Sequence, residues 1–243
     1  MHRNLAFSIG THALALFTED AGLKQHPMYR EAKAGDPVAA LHLVTDLALA
    51  WLFDNEHLFA PAAIYVAPHA KEASGDNAIP QTLAAVCATV FRGLVDREIV
   101  QIDRVYHTGA DAMERMASRA HFEGEVVAGA QYVLVDDVTN LGGTLAELNN
   151  YIQSQGGAVV KVVVLVNAGR NPALLPDLKD TRLIKERFGY DFVKIFGIEP
   201  DALTANEARY LVGFRSIDEI RDRLAKARQE IDRRLRAKGI SRS

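Results

Sequence analysis

Residues Gln131 to Leu148 read "QYVLVDDVTNLGGTLAEL": an apolar run closes on two adjacent acids, and a pair of glycines follows. The run "YVLVDDV" is short and rich in β-branched residues, which suits a buried strand. A second run, "AVVKVVVLVNAG" from Ala158 to Gly169, is almost unbroken Val and Leu. Such continuous apolar strands belong to the middle of parallel sheets covered on both faces. Between them, Thr144 to Gln155 carries Leu145, Leu148 and Ile152 at helical spacing, and Gly156-Gly157 stops the helix. Strand, crossover helix and parallel strand form one right-handed βαβ unit.

In open parallel sheets, ligands sit beyond the carboxyl ends of the strands, where loops run into helix N-termini. Asp136 and Asp137 occupy that end of their strand, and Val138 to Thr144 leads into the helix. Free amides at such a turn, backed by the helix dipole, favour a phosphate. Gly142 and Gly143 let the backbone approach a ligand without a Cβ in the way. Two carboxylates repel a phosphate but accept hydrogen bonds from vicinal hydroxyls. A sugar phosphate satisfies both ends, with ribose over the acids and its 5′-phosphate in the turn. Thr144 and Glu147 also have capping-box spacing, which would commit the Thr144 hydroxyl to its own helix.

The rest of the chain continues the α/β pattern. "AAIYVAP", Ala62 to Pro68, reads as a buried strand, and "IPQTLAAVCATVFRGL" as a helix with Pro80 in its first turn. "EIVQIDRVY" alternates like a strand. Val38 to Phe53 is an apolar helix capped by Asp36 with Pro37 behind it, and reads as too short to span a bilayer comfortably. After Gly169 the chain turns helical, with capping-box spacing at Thr204…Glu207 and Ser216…Glu219 and a long charged segment from Ile217 to Lys238.

The 243 residues are 49% hydrophobic and 24% charged, ordinary for a chain that buries a core. A formal charge of -3 gives no global field for nucleic acid or an anionic membrane. The single cysteine, Cys87, sits in apolar "LAAVCATV" and reads as a buried structural thiol in a reducing cytoplasm. The first twenty residues lack a continuous apolar core of signal-peptide type, so no export is expected. Arg221, Arg223, Arg228, Arg233, Arg234 and Arg236 are interspersed with acids, so the last helix reads as a salt-bridged solvent face, with nucleic-acid binding disfavoured. The absence of G-x-x-x-x-G-K-[ST], G-x-G-x-x-G and H-E-x-x-H argues against a P-loop NTPase, a dinucleotide-binding oxidoreductase and a zinc protease.

"VLVDDVTNLGGT", Val133 to Thr144, resembles the fingerprint of the type I phosphoribosyltransferases: a hydrophobic strand, two acids and a small-residue loop for the 5′-phosphate of phosphoribosyl pyrophosphate. Upstream, "VAPHAKEASGDNAIPQTLA" and "HTGADAMERMASRAHFEG" loosely resemble the competence-associated, ComF-type branch, with its Gly-x-Asn loop and Thr-Gly…Arg segment. The resemblance covers about Ala62 to Ala168. It implies an α/β fold of type I phosphoribosyltransferase kind, a parallel sheet flanked by helices over residues 1–170, with a helical C-terminal extension over 171–243.

By that resemblance Asp136, Asp137 and Asn140 are the candidate catalytic residues, the two acids binding the ribose 2′- and 3′-hydroxyls. Thr139, Asn140, Leu141, Gly142, Gly143 and Thr144 would wrap the 5′-phosphate. Pro68, His69, Ala70 and Lys71 correspond to the pyrophosphate loop, where Lys71 would neutralise the leaving group. Mg2+ is the implied cofactor, carried mainly by ligand oxygens, so no protein metal site is expected. His107, Arg115 and Arg119 fall where the family places a mobile cover; taken singly, each reads more readily as a surface residue. Related enzymes are often dimers, which leaves a homodimer open. Where family loops carry Thr-Thr or Asp-Thr, this chain has Asn140-Leu141; a lost hydrogen bond to a charged group costs about 1.5–3 kcal/mol. Two functions follow: phosphoribosyl transfer to a nitrogenous acceptor with release of pyrophosphate, or a non-catalytic sensor of phosphoribosyl ligands acting through its C-terminal helices on a partner or DNA.

Overall fold

A computed structural model describes residues 2–68, 77–102, 110–169 and 171–237. His69, Ala70, Lys71 and His107 lie outside them. The chain begins with β1 (Ala13–Phe17), α1 (Ala21–Lys24), α2 (Tyr29–Lys33), α3 (Pro37–Asp54), β2 (Ile64–Val66), α4 (Ala78–Val90) and β3 (Leu94–Val95). It continues through β4 (Val100–Gln101), α5 (Ala112–Ala117), β5 (Phe122–Glu123), β6 (Gln131–Thr139), α6 (Gly143–Ser154) and β7 (Ala158–Asn167). Three helices end it: α7 (Leu178–Phe196), bent at Gly189 with φ 54°, then α8 (Ala205–Leu211) and α9 (Ile217–Ala237).

Five strands form one parallel sheet in the order β1-β7-β6-β2-β3, with β6 at its centre. The expected βαβ unit is β6, α6 and β7, with Asp136 opposite Val164 and Thr139 opposite Asn167. Side chains alternate across the sheet. Val133 and Val135 of β6 face a core with Leu43, Val44, Leu52, Leu83 and Cys87 of α3 and α4. Tyr132 and Leu134 face a second core with Leu145, Leu148 and Ile152 of α6. A third core joins Met113 and Met116 of α5 to Ile184, Phe188, Phe192, Leu211 and Ile220 of the C-terminal helices.

Several expectations are narrowed. Ala62 to Pro68 contributes only the three residues of β2. Of "EIVQIDRVY", the described part contributes β4, which pairs antiparallel with β5 outside the main sheet. β1 carries no strong strand signal because "ALALF" mixes good helix formers into a short edge segment, and pairing with β7 decides its conformation. The Asp36 cap of α3 holds, its Oδ1 accepting from the Val38 and Ala39 amides at 2.8 and 3.1 Å. α3 is in fact long and apolar enough to cross a membrane, at mean hydropathy 1.3; here Ala40, Leu43, Val44, Ala48 and Leu52 are buried against the sheet. Cys87 is buried, and burial pushes its thiol pKa up. On α9, Arg221 pairs with Asp218 and Asp191, Arg233 with Glu230, and Arg234 with Glu230 and Glu114.

Residues 2 to 6 form an arm laid along the polar face of α6. Asn150 Oδ1 accepts from the Asn4 and Leu5 amides, and Gln153 Nε2 donates to the Ala6 carbonyl. Arg3 also bridges to Ile198, its amide donating to Gly197 O at 2.9 Å while its carbonyl accepts from Glu199 N at 2.8 Å. Its guanidinium, 1% exposed, reaches Glu147 of α6 at 3.2 Å and Glu207 of α8 at 2.5 Å. Arg119 completes the cluster with two bonds to Glu147, at 2.6 and 2.8 Å. The reading of Arg119 as a surface residue is therefore corrected. Removing one partner from a buried ion cluster strands a charge. Arg3→Met should lower the unfolding free energy by about 3 kcal/mol. Urea denaturation checks this; an unchanged midpoint would show the cluster to be energetically neutral.

Candidate functional site

The carboxyl end of β6 brings the acids together with residues far away in sequence. Asp137 is buried and keeps the direction of Val133 and Val135, toward the α2 to α4 layer. Its Oδ2 accepts from Lys33 Nζ of α2 at 2.7 Å and from Asn77 Nδ2, the cap of α4, at 2.8 Å. Its Oδ1 accepts from the Val138 amide at 2.9 Å. Asp136 is half-buried, and its Oδ1 accepts from the Asp137 amide at 2.8 Å. Burial and the neighbouring Asp137 charge raise the Asp136 pKa well above the usual carboxylate range, with Lys33 a partial offset. For Lys33, burial pulls the pKa down, but the Asp137 carboxylate outweighs it and the net shift is upward.

The turn from Thr139 into α6 depends on Gly142, which caps the helix in a left-handed conformation at φ 81°. No side chain caps α6, so the Thr144–Glu147 capping box does not form. The physical reason is that left-handed Gly142 is the N-cap and the helix already starts at Gly143, so Thr144 lies inside the first turn, while Glu147 goes to Arg3 and Arg119. The Thr139 hydroxyl faces the turn, 3.7 Å from the Cβ position of an alanine at Gly142. The carbonyls of Asn140 and Leu141 are held by Asn206 Nδ2, at 3.0 Å, and by the Thr204 hydroxyl. Leu141 points its side chain into the third core. Its apolar character therefore anchors the turn to the helical portion, a role that the expectation of a lost cradle hydroxyl did not include.

Pro68 is half-buried just past β2, the strand that pairs with β6 on the acids' side. Asp136, Asp137, Thr139, Asn140, Leu141, Gly142, Gly143 and Thr144 thus share one end of the sheet, while His69, Ala70 and Lys71 fall outside the described residues. Lys33, Asn77, Thr204 and Asn206 were missed. Of these, Asn77 carried a signal, as the last residue of the Gly-x-Asn loop; the others are joined to the site only by tertiary contact. Among the described residues no three His, Cys, Asp or Glu side chains gather as metal ligands. Asp137 accepts from three protein donors, which leaves about one free lone pair, on Oδ1, so a divalent cation would rely mainly on ligand oxygens and water.

A strand with two acids, a glycine turn and a helix start, at the centre of a parallel sheet, define a phosphoribosyltransferase-type site. Residues 82–202 match the model of the phosphoribosyl transferase domain. The chain belongs to that family, with the type I arrangement of sheet and helices and a helical C-terminal portion. It is 37% identical to Protein TraN of Escherichia coli over 235 residues, which is 88% of this chain and 49% of that protein. An uncharacterized protein of Haemophilus influenzae is 36% identical over 134 residues, covering 52% of this chain and 29% of its own length. The chain thus spans less than half of either relative. Solved structures that resemble it include adenine phosphoribosyltransferases of Thermoanaerobacter pseudethanolicus (TM-score 0.35, 17% identity, 52% of this chain and 72% of that one) and Leishmania tarentolae (0.37, 14%, 82% and 97%). At that level of agreement the family match and the strand order, rather than these superpositions, carry the assignment.

Because folding raises the pKa of Asp136, the stability this group contributes is present below its unfolded pKa and is lost as pH rises through the folded value. Asp136 therefore burdens the ligand-free fold at neutral pH. Asp136→Asn should raise the thermal midpoint at neutral pH, with the gain fading as pH falls toward about 4. Scanning calorimetry across pH checks it; a gain that grew on acidification would reverse the assignment.

Proposed function

We propose that the protein binds phosphoribosyl pyrophosphate, or a related ribose 5-phosphate compound, at the end of β6 and transfers its phosphoribosyl group to a nitrogenous acceptor with release of pyrophosphate. The observation that supports this best is the pairing, at one sheet end, of two acids with a turn whose carbonyls are already engaged elsewhere. Asp136 and Asp137 accept hydrogen bonds from the ribose hydroxyls, and the amides from Leu141 to Thr144 hold the 5′-phosphate. Thr139, Asn140 and the Thr144 hydroxyl add polar contacts around it. Charge develops on the ribose as pyrophosphate leaves, so catalysis consists of positioning and electrostatic stabilisation. Pro68 borders the leaving group, and Lys33 supplies a cation beside the acids. Mg2+, when bound on the ligand's oxygens, neutralises the pyrophosphate. The buried Cys87 supports a cytoplasmic setting.

A second reading, a sensor that binds without turnover, is favoured by one observation: Asp137 is already paired with Lys33 and hydrogen-bonded by Asn77. The sensor would act through its C-terminal helices. One measurement separates the two. The protein is incubated with phosphoribosyl pyrophosphate, Mg2+ and a panel of bases, and pyrophosphate is followed. Acceptor-dependent release that drops at least about tenfold in Asp137→Asn is the expected result. Saturable binding with no release supports the sensor, and no binding at all removes both readings.

A further inference from the structure

The two sides of a trans peptide are fixed: the carbonyl of one residue and the amide of the next point in opposite directions. In the turn before α6, three carbonyls are drawn to donors from outside the turn. Asn140 O accepts from Asn206 Nδ2 at 3.0 Å, Leu141 O from the Thr204 hydroxyl, and Gly143 O from an Arg3 Nη1 at 3.4 Å. The amides of Leu141, Gly142 and Thr144 belong to those same peptides. They must face away from α8 and Arg3, and among the described residues none of the three has an acceptor. The packing leaves no slack for another arrangement. A Cβ added at Gly169 would lie 2.2 Å from Asn206 Nδ2 and 2.3 Å from Asn140 O, and one at Gly143 would lie 2.8 Å from Glu207 Oε1.

We propose that Thr204 and Asn206, at the start of α8, are positioning residues for the phosphate turn: they hold two of its carbonyls back, as Arg3 holds the third, so that the amides of Leu141, Gly142 and Thr144 face a ligand's terminal phosphate. This rests on the site proposed above and gives the helical C-terminal portion a part in it. The hold is stiffened from behind. Thr204 caps α8 through the Glu207 amide, and Glu207 in turn accepts from the Thr204 amide at 2.8 Å and from Arg3. Thr204 therefore has one hydroxyl serving two elements: it accepts from α8 and donates to the turn. A helix displaced by a partner would release the carbonyls and let the amides swing out of register. Neither Thr204 nor Asn206 needs to touch the ligand for this.

The test uses the ¹⁵N-labelled full chain titrated with ribose 5-phosphate, following the amide resonances of Leu141, Gly142 and Thr144. In the wild type these amides should move downfield on saturation. Thr204→Ser keeps both hydrogen bonds and should behave like the wild type. Thr204→Val and Asn206→Asp, each lacking the donor, should bind roughly tenfold or more weakly and lose the concerted shift while the other resonances keep their folded dispersion. Asn206 lies outside the capping pair, so its variant decides the matter if Thr204→Val does not fold. Wild-type affinity and shifts in Asn206→Asp would overturn the inference alone. Wild-type amides that do not respond to ribose 5-phosphate would overturn the site reading and the inference together.

Discussion

Two carboxylates lie buried behind the turn that leads into α6, Glu147 one turn into α6 and Glu207 one turn into α8, and the architecture follows from how their charges are neutralised. Taking such ions out of water costs several kcal/mol each unless a partner of good geometry is present. Arg3 provides it for both, and so it must sit between the two helices. The N-terminal arm is thereby threaded along α6, and its backbone bridges to Ile198. Arg119 adds a second cation and ties Glu147 to the carbonyls of Phe196 and Gly197 at the end of α7. Five parts of the chain meet at one place, directly under the turn before α6.

Electrostatics on the other side of β6 obey the same rule with a different outcome. Asp137 is buried and satisfied, but its cation, Lys33, is partly exposed at the end of a short helix. A pair of this kind is easier to rearrange than the arginine cluster, because the ammonium can regain water when it leaves. The acids therefore have a partner that is partly open to solvent, whereas the turn is framed by buried ion pairs. Burial and the Asp137 charge both raise the pKa of Asp136, so its proton is held more tightly than that of an ordinary carboxyl.

What the sequence made legible follows from where the information lies. β6, α6 and β7 are encoded locally, in unbroken apolar runs separated by a helical period and closed by glycines, so their order and parallel pairing could be read directly. The caps at Asp36 and Thr204 are also local, and both form. β1 was not legible, because alternating Ala and Leu suit helix and strand alike and only β7 chooses between them. Lys33 meets Asp137 across 104 positions, and Arg3 meets Glu207 across 204, so no spacing rule could pair them. The Thr144–Glu147 spacing misled because the helix begins at Gly143, capped by Gly142, which places Thr144 within the first turn and leaves Glu147 to the arginines.

Leu141 shows why a departure from a family pattern has to be weighed in three dimensions. By itself, replacing a hydroxyl with an isobutyl group subtracts a hydrogen bond from a phosphate cradle. In this fold the half-buried isobutyl group packs against the helical core, while the peptide on its far side is held by Thr204. Full burial of a leucine contributes about 1.5–3 kcal/mol, so this partial burial offsets part of the hydrogen bond forgone. The exchange replaces a contact to the ligand with a contact to the frame, and free energy moves from recognition into preorganisation. Amides fixed before the ligand arrives need no ordering when it binds, so the loss of one donor can be offset by the rigidity of the others. That offset depends on the helical portion staying in place, which makes the turn a reporter of what happens to α8.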